Sequence, residues 1–163
     1  MANYGERSSQ PRPLVLVMLV LLILQFMSGM VTNLYVQIPD SVSNQPTQGR
    51  EFYAVWGSAL RWTLAHGSLF LRLHVILGVL LLLLSLVIMG SAIASRRGVW
   101  VLYSILGWLM TTGAAINGMF FLSYGQHNLN SLIMSFAFIG ASAFYVIGYC
   151  VTRQTNRYPR WRY

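Results

Sequence analysis

Four runs of this chain, at residues 13–36, 73–94, 99–122 and 129–151, stay apolar over the length a helix needs to cross a bilayer. A hydrocarbon core of about 30 Å takes roughly 20 helical residues at 1.5 Å each. Helices and closed barrels are the two structures that satisfy every backbone group in lipid, and the Leu/Val/Ile stretch at 79–89 lacks the two-residue alternation of a barrel strand. The expected fold is therefore all-α: a four-helix transmembrane bundle over 13–151, preceded by a short segment at 1–12 and followed by a basic tail at 152–163.

Charge orients that bundle. The chain has 11 basic residues, all arginine, against 3 acidic ones, for a formal charge of +8. Such a balance is compatible with nucleic-acid binding, but the arginines are placed differently. Arg7 and Arg12 precede the first run, Arg96 and Arg97 join the second to the third, and Arg153, Arg157, Arg160 and Arg162 follow the fourth. By the positive-inside rule these segments are cytoplasmic, both termini included. In the tail, Trp161 and two tyrosines alternate with arginine, a composition suited to the headgroups of an anionic inner leaflet. No nucleic-acid partner is expected, while a membrane-protein partner or a second copy is left open.

The connection between the first two runs opens as a polar loop around Pro39 and Pro46. From 52 to 66 its apolar residues Val55, Trp56, Ala59 and Leu60 recur at helical spacing. This predicts a helix lying in the outer headgroup layer, as an anchor or as a lid. The first run is too long for a signal peptide and lacks a small-residue cleavage pattern. The single cysteine, Cys150, excludes an intrachain disulfide and any CxxC site.

Depth sorts the polar residues. The strongest of them fall toward the outer ends of the spans: Asn33 and Asn117 on the first and third, Arg72, His74 and Asn130 on the second and fourth. Gln25 lies four and eight residues before Gly29 and Asn33, on one helical face. His74, Gly78, Ser85 and Ala92 form a small and polar stripe on the second helix, matched by Ser104, Gly107, Thr111, Ala114 and Gly118 on the third. Both stripes should face the bundle and permit close helix contact. Arg72 lies about 200° from His74 around the helix, which directs it to lipid headgroups or a partner. A GxxxN pair, Gly29 to Asn33 and Gly113 to Asn117, suggests a duplicated hairpin.

His74 admits three readings: a buried histidine bonded to Asn33 or Asn117, a binding or proton-handling group, or a haem ligand. The last requires a second imidazole, for which His127 in the turn after the third helix is the candidate. No nucleotide loop, nucleophile triad or acid pair is present, so acid–base enzymology is not expected and no cofactor is required. The leading expectation is a non-enzymatic ligand-binding protein or accessory subunit, with a polar site formed by Asn33, His74, Asn117 and Asn130. A b-type haem protein using His74 and His127 is the alternative, and a ligand-free scaffold the third reading.

Asn33-Leu34-Tyr35-Val36-x-Ile38-Pro39, Ala65-His66-Gly67, the Leu71-x-x-His74-x-x-Leu77-Gly78 segment, Asn117-Gly118-x-x-Phe121-Leu122 and Ser131-Leu132-Ile133-Met134 together resemble a family of small four-helix membrane proteins of bacteria with no characterised function. Members of that family tend to carry His-Pro-Gly soon after the Ile-Pro, where this chain reads Asp40-Ser41-Val42-Ser43. The resemblance implies the topology and a bacterial plasma membrane. It supplies no activity.

Overall fold

The computed structural model describes residues 12–43 and 51–155. Six helices follow in order: α1 (Arg12–Tyr35), α2 (Asp40–Ser43), α3 (Phe52–His66), α4 (Leu69–Ala94), α5 (Gly98–Ser123) and α6 (Asn128–Thr155). Among the described residues there is no strand. The helices α1, α4, α5 and α6 are the four long enough and apolar enough to cross a membrane, and their bounds lie within four residues of the expected spans. Large apolar side chains cover the outside of the bundle: Val20 and Ile23 on α1 and Leu83 and Val87 on α4 are all more than half exposed. Such a surface is stable in lipid and not in water.

The four spans form a ring in the order α1, α4, α5, α6. Among the described residues the diagonal pairs do not approach each other. Inward positions step by three and four alternately: Val15, Met18, Leu22, Gln25, Gly29 and Thr32 on α1; Leu71, His74, Gly78, Leu81, Ser85, Ile88 and Ala92 on α4; Trp100, Ser104, Gly107, Thr111, Ala114, Gly118 and Phe121 on α5. That 3.5-residue repeat keeps one face aligned between helices crossing at about +20°. The expected stripes on the second and third spans are these faces.

Two apolar clusters fill the ring at different heights. At the end near the α4–α5 turn, Met18, Ile88, Trp100 and Tyr145 pack together. At the other end Ile38, Val42, Ala59, Leu71, Phe121 and Leu122 do so, with α2 and α3 laid across the ends of α4 and α5. On α3, Val55, Ala59 and Thr63 are buried at four-residue intervals while Ser58 and Arg61 are exposed, so the expected helix forms with the expected face inward. Trp56 meets Phe120 edge to face.

Two details define the join between α3 and α4. The α3 and α4 helices are separate, because Gly67 is extended and Ser68 caps α4 by accepting from the Leu71 N–H. Arg72, expected to point away from His74 toward headgroups or a partner, also ties the two helices: its Nε donates to the Gly67 carbonyl at 2.7 Å and an Nη to the Ala65 carbonyl at 3.0 Å. A cation is favoured there because the last carbonyls of α3 have no helical partners. Of the tail residues, Arg157, Arg160, Trp161 and Arg162 lie outside the described residues, as does the side chain of Arg153.

Candidate functional site

Between the two apolar clusters the ring is not filled. The inward positions at that height are Gly29, Gly78, Ala114, Gly118 and Ala137, and they leave a cavity of about 260 Å³. His74 and Gln25 cover Gly29 and Gly78, while Gly118 has no side chain closer than Met134 Sδ at 3.7 Å, in contrast to the level below, where Tyr145 and Trp100 belong to the packed core. The walls are predominantly apolar, and among the described residues no charged side chain lines them.

One polar network enters this space, and it joins α1 to α4. Ser28 donates its hydroxyl proton to the Gln25 carbonyl at 3.0 Å, so its oxygen can only accept from His74 Nδ1, also at 3.0 Å. The ring then carries its proton on Nδ1, and Nε2 accepts from the Gln25 amide nitrogen at 3.2 Å. These assignments follow from the network as a whole. They leave the Gln25 amide oxygen, Oε1, buried with no partner.

Local sequence explains why the pair fits. Gln25 and Gly29 are one helical turn apart on α1, as His74 and Gly78 are on α4. Since the two helices are antiparallel, each large polar residue meets the other helix's glycine. A Cβ on Gly29 would lie 2.8 Å from His74 Cε1, and one on Gly78 would lie 3.3 Å from Gln25 Nε2.

The expected site residues divide. His74 and Asn33 line the cavity, and Asn33 Oδ1 accepts from the Ser131 hydroxyl at 2.9 Å across the α1–α6 boundary. Asn117 and Asn130 do not line it; Asn117 donates back to the Gly113 carbonyl of its own helix at 3.1 Å. The expected bond from His74 to Asn33 or Asn117 is replaced by bonds to Gln25 and Ser28. Proximity in depth does not fix azimuth: a residue must also point toward its partner around the helix. Gln25 had a usable signal in its four-residue spacing to Gly29, whereas Ser28 had none.

Two further expectations fail on geometry. Gly118, expected at a tight helix contact, has room: a Cβ there would find Met134 Sδ as its nearest neighbour, at 3.7 Å. The close contact on α5 is at Gly107, where a Cβ would lie 2.7 Å from Tyr145 Cζ. The GxxxN pair is not equivalent either, since Gly29 abuts His74 and Gly113 meets nothing within 4 Å. A haem also fits poorly. Both ring nitrogens of His74 are engaged, exposed His127 is not in the wall, and about 260 Å³ is less than a haem with its propionates occupies.

Deeper in the bundle, the hydroxyl of fully buried Tyr145 faces Thr111 and Ser85 without a well-formed hydrogen bond to either. Both smaller hydroxyls are bonded to carbonyls of their own helices. No family model, curated protein or solved structure matches the chain. The resemblance to small bacterial four-helix membrane proteins therefore rests on the residues quoted above.

Proposed function

We propose that this is a non-enzymatic, multi-pass protein of a bacterial plasma membrane that binds a small ligand inside its helix bundle, on its own or as an accessory subunit. The observation that carries this reading is the cavity of about 260 Å³ inside the bundle, lined by Gln25 and His74 among mainly apolar residues. Close packing is the rule in protein interiors. A largely apolar space of this size within a bundle is better explained as one that something fills.

The arginines support an orientation. Arg96 and Arg97 form the α4–α5 turn, while the α5–α6 turn at the opposite end has no formal charge. With the arginine-bearing end cytoplasmic, α3 lies in the outer headgroup layer, both termini are inside, and the cavity belongs to the outer leaflet. The arginine-rich tail then meets the anionic inner leaflet, each arginine contributing about 1 kcal/mol of attraction.

The test is extraction and mass spectrometry of the protein purified from a native membrane, alongside an Ala114→Phe variant that fills the cavity. Wild type should retain a small molecule that the variant, equally helical and monodisperse, does not. Identical extracts from the two proteins would remove the ligand-binding reading.

A further inference from the structure

We infer that the occupant is one acyl chain of a bilayer glycerolipid, which reaches the cavity between α1 and α6 while its head group stays in the bilayer. This rests on the ligand-binding reading above and names the class of ligand and its route.

The cavity extends into one seam of the ring. On α1, Gln25 and Ser28 lie on the flank that bonds to α4, and Phe26 and Asn33 lie on the flank that meets α6. At 100° per residue Met30 falls on the α6 side with them. Phe26, Met30 and Asn33 all line the cavity, as do Ser131, Ser135 and Phe138 of the facing helix. Met30 is 42% exposed and Asn33 is exposed as well, so both side chains border the cavity and the outside of the bundle. The seam is bridged at two heights, by the Asn33–Ser131 hydrogen bond and by the Phe26–Phe138 stack at 4.8 Å. Between those bridges stand a flexible thioether, Met30, and a small residue, Ser135. The two helices are also the least closely packed neighbours in the ring.

Depth and width fit a single chain. From Asn33 to Leu22, both in the wall, α1 descends about 16 Å, close to the roughly 15 Å that one leaflet contributes to the hydrocarbon core. A chain seated there runs alongside its neighbours in the same leaflet and ends near the midplane. A dry apolar cavity of about 150 Å³ takes one benzene ring. By proportion, about 260 Å³ takes roughly ten non-hydrogen atoms, which is much of one acyl chain and not two. The wall is mainly apolar, with no charged side chain among the described residues, so it suits the chain and disfavours a charged head group.

Asn33 meets the polar end of that chain. Its Oδ1 accepts from the Ser131 hydroxyl, and its amide nitrogen has no hydrogen bond among the described residues. Turning the amide over leaves an N–H free all the same, because the Ser131 oxygen engages only one. The side chain is exposed and lies less than one turn before α1 ends at Tyr35, which puts a free donor at the edge of the hydrocarbon. An ester carbonyl sits at the same edge and has no donor of its own, so the two groups complement each other. Val79 of α4 is also both exposed and in the wall, on the flank away from α1, and marks a competing route between α4 and α5. The lining side chains of that seam, Val75, Val79, Ala115 and Met119, are apolar and offer an ester nothing.

The experiment uses the full chain reconstituted in phosphatidylcholine vesicles, with a trace of phosphatidylcholine carrying a diazirine along one ester-linked chain, or its ether-linked counterpart. Photolabelled residues are mapped by peptide mass spectrometry. Labelling should reach the inward-facing Gly118 and Leu82 as well as the lipid-facing surface, and the inward part should vanish in Ala114→Phe. Because the head group stays outside, a bound chain occupies the seam permanently. Ser135→Phe and Met30→Phe, each as helical and monodisperse as wild type, should therefore suppress inward labelling, and Val79→Phe should not. The ester probe should label inward about fivefold more than the ether probe, the ratio one net hydrogen bond confers, and Asn33→Leu should erase that preference. Equal inward labelling by the two probes, or a Val79→Phe effect as large as that of the α1–α6 plugs, overturns this inference and leaves the ligand-binding reading standing. So does an absence of inward labelling when extracts of wild type and Ala114→Phe still differ. No inward labelling together with identical extracts overturns both.

Discussion

A Cβ placed on Gly29 would lie 2.8 Å from His74 Cε1, whereas one placed on Gly113, near the middle of α5, would meet nothing within 4 Å. The two positions therefore differ in what a single methyl group does. Gly29→Ala must push the imidazole away from Gln25 and Ser28, at a cost of about 1 to 3 kcal/mol, the scale of overpacking. Gly113→Ala has room and gains helix propensity, so it should be neutral or slightly stabilising. Thermal melts of both variants in detergent check the contrast, and equal midpoints would mean that Gly29 does not hold His74 in place. The same comparison separates close-contact glycines such as Gly107 and Gly148 from Gly118, which borders empty space.

At the scale of elements, the turns carry the strain and the ties. Arg96, in the α4–α5 turn, has φ 54°. This left-handed conformation costs an L residue about 1 to 2 kcal/mol that glycine avoids. Arg96→Gly should raise the melting temperature, and an unchanged or lower value would show that the arginine side chain compensates for its backbone. At the opposite end, Gln126 ties the α5–α6 turn to the segment after α1. Its amide nitrogen donates to the Val36 carbonyl at 2.7 Å, and its amide oxygen accepts from the Ile38 N–H at 3.3 Å. Gln126→Ala leaves two backbone groups without those partners, beside buried Ile38, and should destabilise by about 1 to 3 kcal/mol. Hydrogen exchange would locate the effect at residues 36–39; a loss spread evenly over the bundle would contradict a local tie.

For the whole molecule, the ring arrangement and the arginine distribution make one joint prediction. With native Cys150 replaced by serine, single cysteines at Ser9, Ser95 and Thr155 should be shielded from a membrane-impermeant maleimide added outside intact cells. Cysteines at Ser43 and Gln126 should react. The asymmetry arises because two arginines in a short turn resist translocation, while an uncharged turn does not. Labelling of Ser95 from outside would invert the bundle and move the cavity to the inner leaflet. Ring closure itself is uneven, since α5 and α6 interlock through glycines and aromatic rings while α1 and α6 meet through two bridges.

The sequence by itself determined the four spans, the helix at 52–66 and the inward stripes of α4 and α5, because length, hydropathy and periodicity are properties of a single segment. It also pointed to His74 and Asn33, whose polarity in apolar surroundings is visible without a partner. Only the tertiary structure decided that Gln25 and Ser28, rather than Asn33 or Asn117, bond to His74, because a hydrogen bond across helices depends on rotation about both axes. Only it showed that Arg72 caps α3, an interaction set by the break at Gly67 and Ser68. Small residues on two helices can let backbones touch or leave a space, and which one occurs depends on what the facing helix presents. Tyr145 packs directly onto Gly107, whereas Met134 stops 3.7 Å short of where a Cβ on Gly118 would lie and leaves that position open.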